Sequence, residues 1–470
     1  MIKVLDNIIF QTVSEEARLQ GVRAFVIGGF VRDYYLQNPS NDVDIVVEGS
    51  GIALAEAVAA RLRSKVSVFK NFGTAMLKYR GIEVEFVGAR KESYNRTSRK
   101  PVVENGTLED DQKRRDFTIN TLSFSLQQED FGTLIDPFGG IQDLNAGLIR
   151  TPLDPDTTYS DDPLRMLRAI RFATKLGFEI VPESVESIKR NKQRLEILSK
   201  ERIADELNKI MSYDTPSRAF VLMEQCGILE IILPALHNLI DVEEDAYGHK
   251  DNFTHSLKVL DNVAAVSDDI WLRWAALLHD IGKASTKKLD QNVGWTFYNH
   301  DYIGAKMIPG VFRQLKLPQN EKMKYVQKLV GLHMRPMALV TDEVTDSAIR
   351  RLLFDAGDDV DDLMILCKAD ITSKNAKKVE LFKNNYELVK EKMVEVEEKD
   401  RIRNFNNPIT GELIMQKYGI PPCKEIGVIK EYIKNAILDG VIENDYEQAY
   451  RLMEIKAAEL FGNKSELSDK

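Results

Sequence analysis

The apolar pattern of this chain changes character once, and that change constrains the fold more than any other feature. Between residues 22 and 150, short β-branched runs alternate with helical periods, whereas from Asp161 onward nearly every apolar period is helical. VRAFVIGG is a short apolar run ending in two glycines, and FVRDYYLQ continues with helical character. DVDIVVEG reads as a strand closed by glycine. GIALAEAVAARLRS reads as a helix with Ile52, Leu54, Ala55, Val58, Ala59 and Leu62 on its apolar side. TAMLKYR and IEVEFVG are predicted to be two strands joined at Gly81. The polar segment SYNRTSRKPVVENGTLEDDQ, carrying Pro, Gly and Asn, is predicted to be a long surface loop. Beyond it, ERIADELNKIM, THSLKVLDNVAAV, IWLRWAALLHDIG and NEKMKYVQKLVGLH all carry the helical period. The expected architecture is an α+β multidomain chain, an α/β head followed by helices.

A length of 470 residues corresponds to about three domains. With 43% apolar and 29% charged residues, a mostly disordered or collagen-like chain is excluded. Uncharged apolar stretches such as WAALL are far shorter than the ~20 residues of a membrane helix. The start, MIKVLDNIIFQTVSEE, has no basic segment followed by an apolar core. A soluble, cytoplasmic protein is expected. Cys226, Cys367 and Cys423 lie far apart, which fits buried thiols in a reducing compartment rather than a zinc site. The net charge of −9 argues against a protein that coats nucleic acid everywhere. It leaves room for one basic channel, and basic residues do gather at 90–100, 113–115 and 165–175.

The densest chemical signal is GGFVRDYYLQNPSNDVDIVVEG. Gly28 and Gly29 end a strand and open a helix, where backbone N–H groups can face a phosphate. Strand alternation then puts Asp42 and Asp44 on one face while Val43 points into the core. Two adjacent carboxylates repel each other unless a cation bridges them, and hard oxygen ligands suit Mg²⁺ completed by substrate phosphates. A phosphate cradle beside a magnesium dyad is the minimum for nucleotidyl transfer. Three further blocks follow in order: RRDFTINTL, DPFGG and DDPLRMLRAIRFATKLGF.

This ordered set resembles the class II tRNA nucleotidyltransferases, the CCA-adding enzymes, whose superfamily includes bacterial poly(A) polymerases. The resemblance implies a polymerase-β-like nucleotidyltransferase head with a mixed sheet over residues 1–150. A helical neck and RNA-binding body (151–245), an HD domain (246–375) and C-terminal helices (376–470) would follow. It implies that Asp42 and Asp44 bind the catalytic metals and that Gly28, Gly29 and Arg32 hold the triphosphate. Arg114, Arg115, Asp116 and Asn120 would recognise the ribose and phosphates of the incoming nucleotide. Glu85 stands where the family more often has aspartate. Asp162, Arg165 and Arg168 recur at three-residue spacing and are expected on one helical face. A carboxylate accepting from an exocyclic amino group and a guanidinium donating to a ring nitrogen fit cytosine or adenine. Asp162 and Arg165 would thus act as a protein template for CTP and ATP, as the family's corresponding pair does.

All six histidines lie beyond residue 236. Imidazoles and carboxylates converging from several helices make an N/O site for a divalent metal. The order His255, His279-Asp280, Asp370 resembles an HD-domain phosphohydrolase. His300 and His333 match its extended version, and Lys283 is placed to meet a phosphate. His237 and His249 are not needed for the site. The implied function is template-independent addition of CCA to tRNA from CTP and ATP, beside an HD site for a divalent metal. A poly(A) polymerase or an enzyme adding only part of CCA is the alternative. From other classes come a phosphohydrolase with a nucleotide-binding head and an RNA-binding module without catalysis. Oligomeric state is not legible.

Overall fold

The computed structural model describes residues 3–38, 40–95, 98–240, 251–292, 294–341, 345–372, 376–400 and 405–461. The chain divides into two compact units, Met1–Pro234 and Ala235–Lys470. Among the described residues no helix is long and apolar enough to cross a membrane.

In the first unit the strands are β1 (Arg23–Ile27), β2 (Asp42–Glu48), β3 (Val66–Phe69), β4 (Thr74–Tyr79), β5 (Ile82–Gly88), β6 (Arg90–Asn95), β7 (Ser98–Asn105), β8 (Ser123–Ser125) and β9 (Leu134–Ile135). Seven of them form a sheet in the order β3-β4-β5-β2-β1-β8-β9. The β2–β5 pair is parallel and the other pairs are antiparallel, so the sheet is mixed as expected. Helices α1 (Ile8–Gln20) and α3 (Gly51–Leu62) pack on one face, over the buried Val43, Ile45, Val47, Val84 and Phe86. On the other face Phe25, Ile27, Val46, Ala89 and Leu108 make a smaller cluster. Between β4 and β5, Arg80 and Gly81 both take left-handed φ values (47° and 86°), as a two-residue hairpin turn matching the strand twist requires.

The segment expected to be a long loop is instead ordered. β6 and β7 pair as an antiparallel ribbon, and α4 (Leu108–Lys113) follows behind a capping box formed by Thr107 and Asp110. The polar composition of the run hides the alternation, and Pro101 of β7 lies opposite a register shift between Ser93 and Asn95. Arg96 and Thr97, at its tip, lie outside the described residues. Further helices of this unit include α5 (Pro155–Asp161), α6 (Leu164–Leu176) and α7 (Lys200–Met211), beside a short parallel pair, β10 (Leu148–Ile149) and β11 (Glu179–Ile180).

The second unit is helical, as expected. Its site-bearing helices are α8 (Asn252–Ala264), α9 (Ile270–Leu278), α10 (His300–Leu315), α11 (Glu321–Leu332) and α12 (Val360–Asp370). One small hairpin, β12 (Lys288–Asp290) with β13 (Gly294–Thr296), interrupts it. The C-terminal part adds Ala376–Asp400, Gly411–Tyr418, Lys424–Leu438 and Tyr446–Phe461. Cys226 and Cys367 are buried, but Cys423 is exposed: it precedes Lys424–Leu438 as its extended N-cap, outside any core. His249 lies outside the described residues.

Candidate active site and metal centre

The head site is built where β1, β2 and α2 (Gly29–Tyr35) meet. Gly28 takes φ 81° and ψ −131°, a region closed to most side chains. A Cβ there would lie 2.8 Å from the Arg115 guanidinium and 3.6 Å from Asp44 Oδ2, so only glycine lets the backbone come this close to both groups. The amide of Gly28 does not face outward: it donates to the Leu122 carbonyl at 3.0 Å. Any phosphate contact must come from the next amides, which open α2 without intrahelical acceptors.

Asp42, Asp44, Glu83 and Glu85 share one sheet face, because Asp42 pairs with Glu83 and Asp44 with Glu85. Burial, with the Glu85, Asp42 and Asp111 carboxylates, pushes the Asp44 carboxyl up, against the pull of Arg115. Arg115 is held by its Nε bond to Asp111 (3.1 Å) and by Nη1 near the Asn120 carbonyl (3.4 Å). Arg114 grips the other oxygen of the same carboxylate through Nε at 2.8 Å. Asp111 is fully buried and was missed by the sequence reading, although its i,i+3 and i,i+4 spacing to Arg114 and Arg115 is a helix-pair signal.

A second network starts at Arg32, which is buried and bonded to Asn120 Oδ1 (2.7 Å) and Asp33 (2.7 Å). Asn120 Nδ2 donates to Asp116 Oδ1 at 2.9 Å, and the other Asp116 oxygen accepts from Arg168 Nε at 2.7 Å. Burial alone would raise the Asp116 carboxyl, but Arg168 and Asn120 outweigh it and hold it below the ordinary range. Phe172 collects three guanidiniums, with Arg32, Arg168 and Arg171 at 5.1, 5.5 and 4.4 Å from its ring centre. Arg171 is in turn fixed to the buried Glu206 of α7 at 2.5 Å.

Asp162 does not share a helical face with Arg165 and Arg168. It lies between α5 and α6 with φ −131° and ψ 98°, and its carboxylate accepts from the Leu164 amide at 3.1 Å. Pro163 disfavours helical backbone in the residue before it, so the three-residue spacing breaks there. Arg165 still reaches the site side of α6, donating to the Arg114 carbonyl.

In the second unit five elements bring the expected ligands together. His255 lies in α8, His279 and Asp280 follow α9, His300 begins α10, His333 caps α11 and Asp370 ends α12. Donor atoms of His255, His279 and Asp370 lie within 4.8 Å of one another, as do those of His279, Asp280 and His333. Asp280 is central: Oδ2 is 3.1 Å from His279 Nε2 and 3.5 Å from His255 Nε2, while Oδ1 is 3.3 Å from His300 and 3.7 Å from His333. The Nδ1 atoms of His279, His300 and His333 meet the carbonyls of Ala276, Phe297 and Val330 at 2.7–2.9 Å. That contact has each Nδ1–H donate to a carbonyl, which leaves Nε2 as the atom that can turn a lone pair to a cation, and the three Nε2 atoms are buried without a well-directed hydrogen bond. His255 differs, with Thr372 Oγ1 at 3.0 Å from its Nδ1. Burial opposes protonation of His279, yet Asp280 and Asp370 hold it up to about 10. Burial also opposes ionisation of Asp280 and Asp370, but His279, Lys283 and His300 bring Asp280 well below the ordinary range, and His255 and His279 do the same for Asp370. Orphaned imidazole nitrogens aimed at two carboxylates fit a divalent cation. Lys283 does not point to an open phosphate position: its ammonium is engaged by Asp280 and Asn252, each at 3.0 Å.

Comparisons with known proteins agree with this layout. A profile described as the poly(A) polymerase head domain matches residues 24–150. One for the probable RNA and SrmB-binding site of polymerase A matches 177–240, and one for the HD domain matches 252–375. The multifunctional CCA protein of Shewanella frigidimarina is 33% identical over 313 residues, covering 63% of this chain and 70% of that one. The chain belongs to the tRNA nucleotidyltransferase and poly(A) polymerase family. Family members also include the A-adding tRNA nucleotidyltransferase of Aquifex aeolicus, 40% identical over 215 residues, or 45% of this chain. The chain spans about a quarter of the length of that relative (26%) and of the Geobacter sulfurreducens enzyme of the same name (24%). Among solved family structures, a CCA-adding enzyme in apo form aligns with TM-score 0.62 at 25% identity, over 97% of this chain and 96% of that one. A tRNA nucleotidyltransferase complexed with a primer tRNA and an ATP analogue aligns with TM-score 0.57 at 26% identity, over 81% and 98%.

Two outcomes follow from these geometries. Asp116→Asn lowers stability at pH 7 by on the order of 2 kcal/mol, less than the about 3–5 kcal/mol of a fully buried pair, because 34% of the Arg168 side chain stays exposed. Since the folded Asp116 carboxyl is depressed, its contribution is complete above the unfolded carboxylate value. It fades as pH falls, so denaturant midpoints of parent and variant converge in acid. In Gly282→Ala, the new Cβ overlaps the His300 carbonyl oxygen and must displace the start of α10. Metal analysis of the purified variant should then show less bound divalent metal than the parent, with its circular dichroism spectrum unchanged.

Proposed function

We propose that the chain adds cytidine, cytidine and adenosine to the 3′ end of tRNA, using CTP and ATP and releasing pyrophosphate. The observation that carries this reading is the pairing of Asp42 and Asp44 on one sheet face, with Asp44 beside the Gly28 bend and Arg115. Asp42 and Asp44 would hold Mg²⁺, which supplies charge neutralisation of the triphosphate and activation of the attacking hydroxyl. The 3′-oxygen of the tRNA forms a bond to the α-phosphorus, the bond to the β-phosphate oxygen breaks, and the hydroxyl proton passes to solvent. Arg114 and Arg115, pre-set by Asp111, would grip the phosphates; Gly28 and Gly29 leave space for them. Arg32, Asn120, Asp116 and Arg168 form the wall against which the sugar and base lie. Asp162, just before α6, and Arg165, in its first turn, would read the amino group and ring nitrogen of C or A.

Four functional segments follow from this reading: head 1–150, neck and body 151–245, HD domain 246–375 and tail 376–470. It places the protein in the cytoplasm with its substrates. In the HD segment, His255, His279, Asp280, His300, His333 and Asp370 would hold a divalent metal that activates water for phosphoester hydrolysis. A narrower activity, addition of the terminal A alone, is favoured by one observation, the 40% identity to an enzyme named as A-adding over 45% of this chain.

Labelled-nucleotide incorporation separates the readings. With tRNA ending before CCA, the parent should add three residues from CTP and ATP, and Asp42→Ala or Asp44→Ala should lower incorporation by at least about 10³-fold while remaining folded. Addition of a single A, and only to tRNA already ending in CC, would overturn full CCA addition. Normal incorporation by either aspartate variant would refute the site.

A further inference from the structure

The sheet face that carries the carboxylates continues beyond them to the edge strand. Pairing aligns Asp44 with Glu85, Glu85 with Met76, and Met76 with Ser67. Directly paired residues project from the same face, so Met76 stands two strand spacings from Asp44, about 10 Å away. The same parity puts Lys78, paired with Glu83, and Phe69, paired with Thr74, on this face. On the other side of β4, Ala75 and Leu77 are fully buried. Here, by contrast, Met76 is 39% exposed, Phe69 45%, and Phe72, in the turn after β3, 70%. Three large apolar side chains within eight residues thus forgo burial beside the carboxylates. The turn that presents Phe72 is clipped in place by Arg90, whose guanidinium donates to the Phe72 carbonyl.

Charge on this edge is complementary to a polyanion. The two outer strands and their turns, residues 65–80, hold four cations, Lys65, Lys70, Lys78 and Arg80, and no acid, and of these Lys78 is paired with Glu83 of β5. Aromatic and thioether side chains interleaved with cations suit a single strand of nucleic acid. Every base offers a π-face to stack, and the phosphates between bases take the cations.

We propose that the outer face of β3–β4, through Phe69, Phe72 and Met76, seats the last single-stranded nucleotides of the RNA primer and so delivers its 3′-hydroxyl to Asp42 and Asp44. This rests on the reading that the head extends an RNA 3′ end. Because stacking does not depend on base identity, the same seat serves a primer end whose terminal base changes with each addition. It adds primer affinity and takes no part in choosing the incoming nucleotide.

The test uses the full chain, a tRNA transcript ending before CCA, and the variant Phe69→Ala/Phe72→Ala/Met76→Ala. The KM for tRNA should rise at least tenfold, while KM for CTP and kcat at saturating tRNA stay within twofold. A tRNA KM within twofold of the parent overturns the proposal and leaves the patch to a protein partner. If the triple variant loses its circular dichroism spectrum, Phe72→Ala alone decides. Its ring is mostly in water, and a rise of about threefold, reversed in Phe72→Trp, is expected; no rise overturns the proposal. Should the parent incorporate no nucleotide at all, the polymerase reading fails separately. Fluorescence anisotropy of the same transcript, labelled at its 3′ end, then decides the seat: tenfold weaker binding by the variant supports it, and equal binding overturns it.

Discussion

Four carboxylates, Asp42, Asp44, Glu83 and Glu85, stand on one face of the parallel β2–β5 pair, and the strand register that puts them there cannot slip. On the opposite face Val43, Ile45, Val47, Val84 and Phe86 fill the core beneath α1 and α3. A shift of one residue would exchange the two sets, burying the acids and exposing the hydrocarbons. Apolar packing therefore forces like charges together. Lys78 relieves Glu83 through a 2.5 Å ion pair, and Arg115 relieves Asp44, but the cluster stays short of positive charge. On the proposed reading, cations brought by the substrate, or with it, would complete the balance, and this would tie the chemistry to the fold.

The guanidiniums around Phe172 solve a related problem. Arg32, Arg168 and Arg171 converge on one ring, each held by a carboxylate, Asp33, Asp116 or Glu206. Each charge is paired, so the cluster is rigid without leaving an unsatisfied group in the interior. On the proposed reading, a rigid wall of this kind would cost no reorganisation when a nucleotide arrives. The histidine centre uses the same logic with backbone carbonyls as the fixing partners.

Much of this was legible in the residues. The strand bearing Asp42 and Asp44 and the glycine bend before it follow from alternation and turn chemistry, and the six metal-ligand candidates follow from the resemblance to HD domains. What escaped depends on partners distant in sequence or on backbone detail. The Gly28 amide looked available until Leu122, 94 positions later, was seen to accept from it. Three-residue spacing placed Asp162 on a helix that begins only after Pro163, and polarity disguised the β6–β7 ribbon as a loop. Thr372 escaped because a residue that positions another has no signature of its own, whereas Asp111 did leave one, its three- and four-residue spacing to Arg114 and Arg115, which reads as an ordinary helix pair. Lys283 has the right charge to meet a phosphate, but Asp280 and Asn252 take its ammonium first.

The most direct measurement is anomalous diffraction from crystals grown with Mn²⁺ and a non-hydrolysable CTP analogue. The account predicts a Mn²⁺ peak in contact with both Asp42 and Asp44 and with the analogue's phosphates, absent in Asp44→Ala. A triphosphate bound elsewhere, or Mn²⁺ found at the histidine cluster with none between these two aspartates, would contradict it.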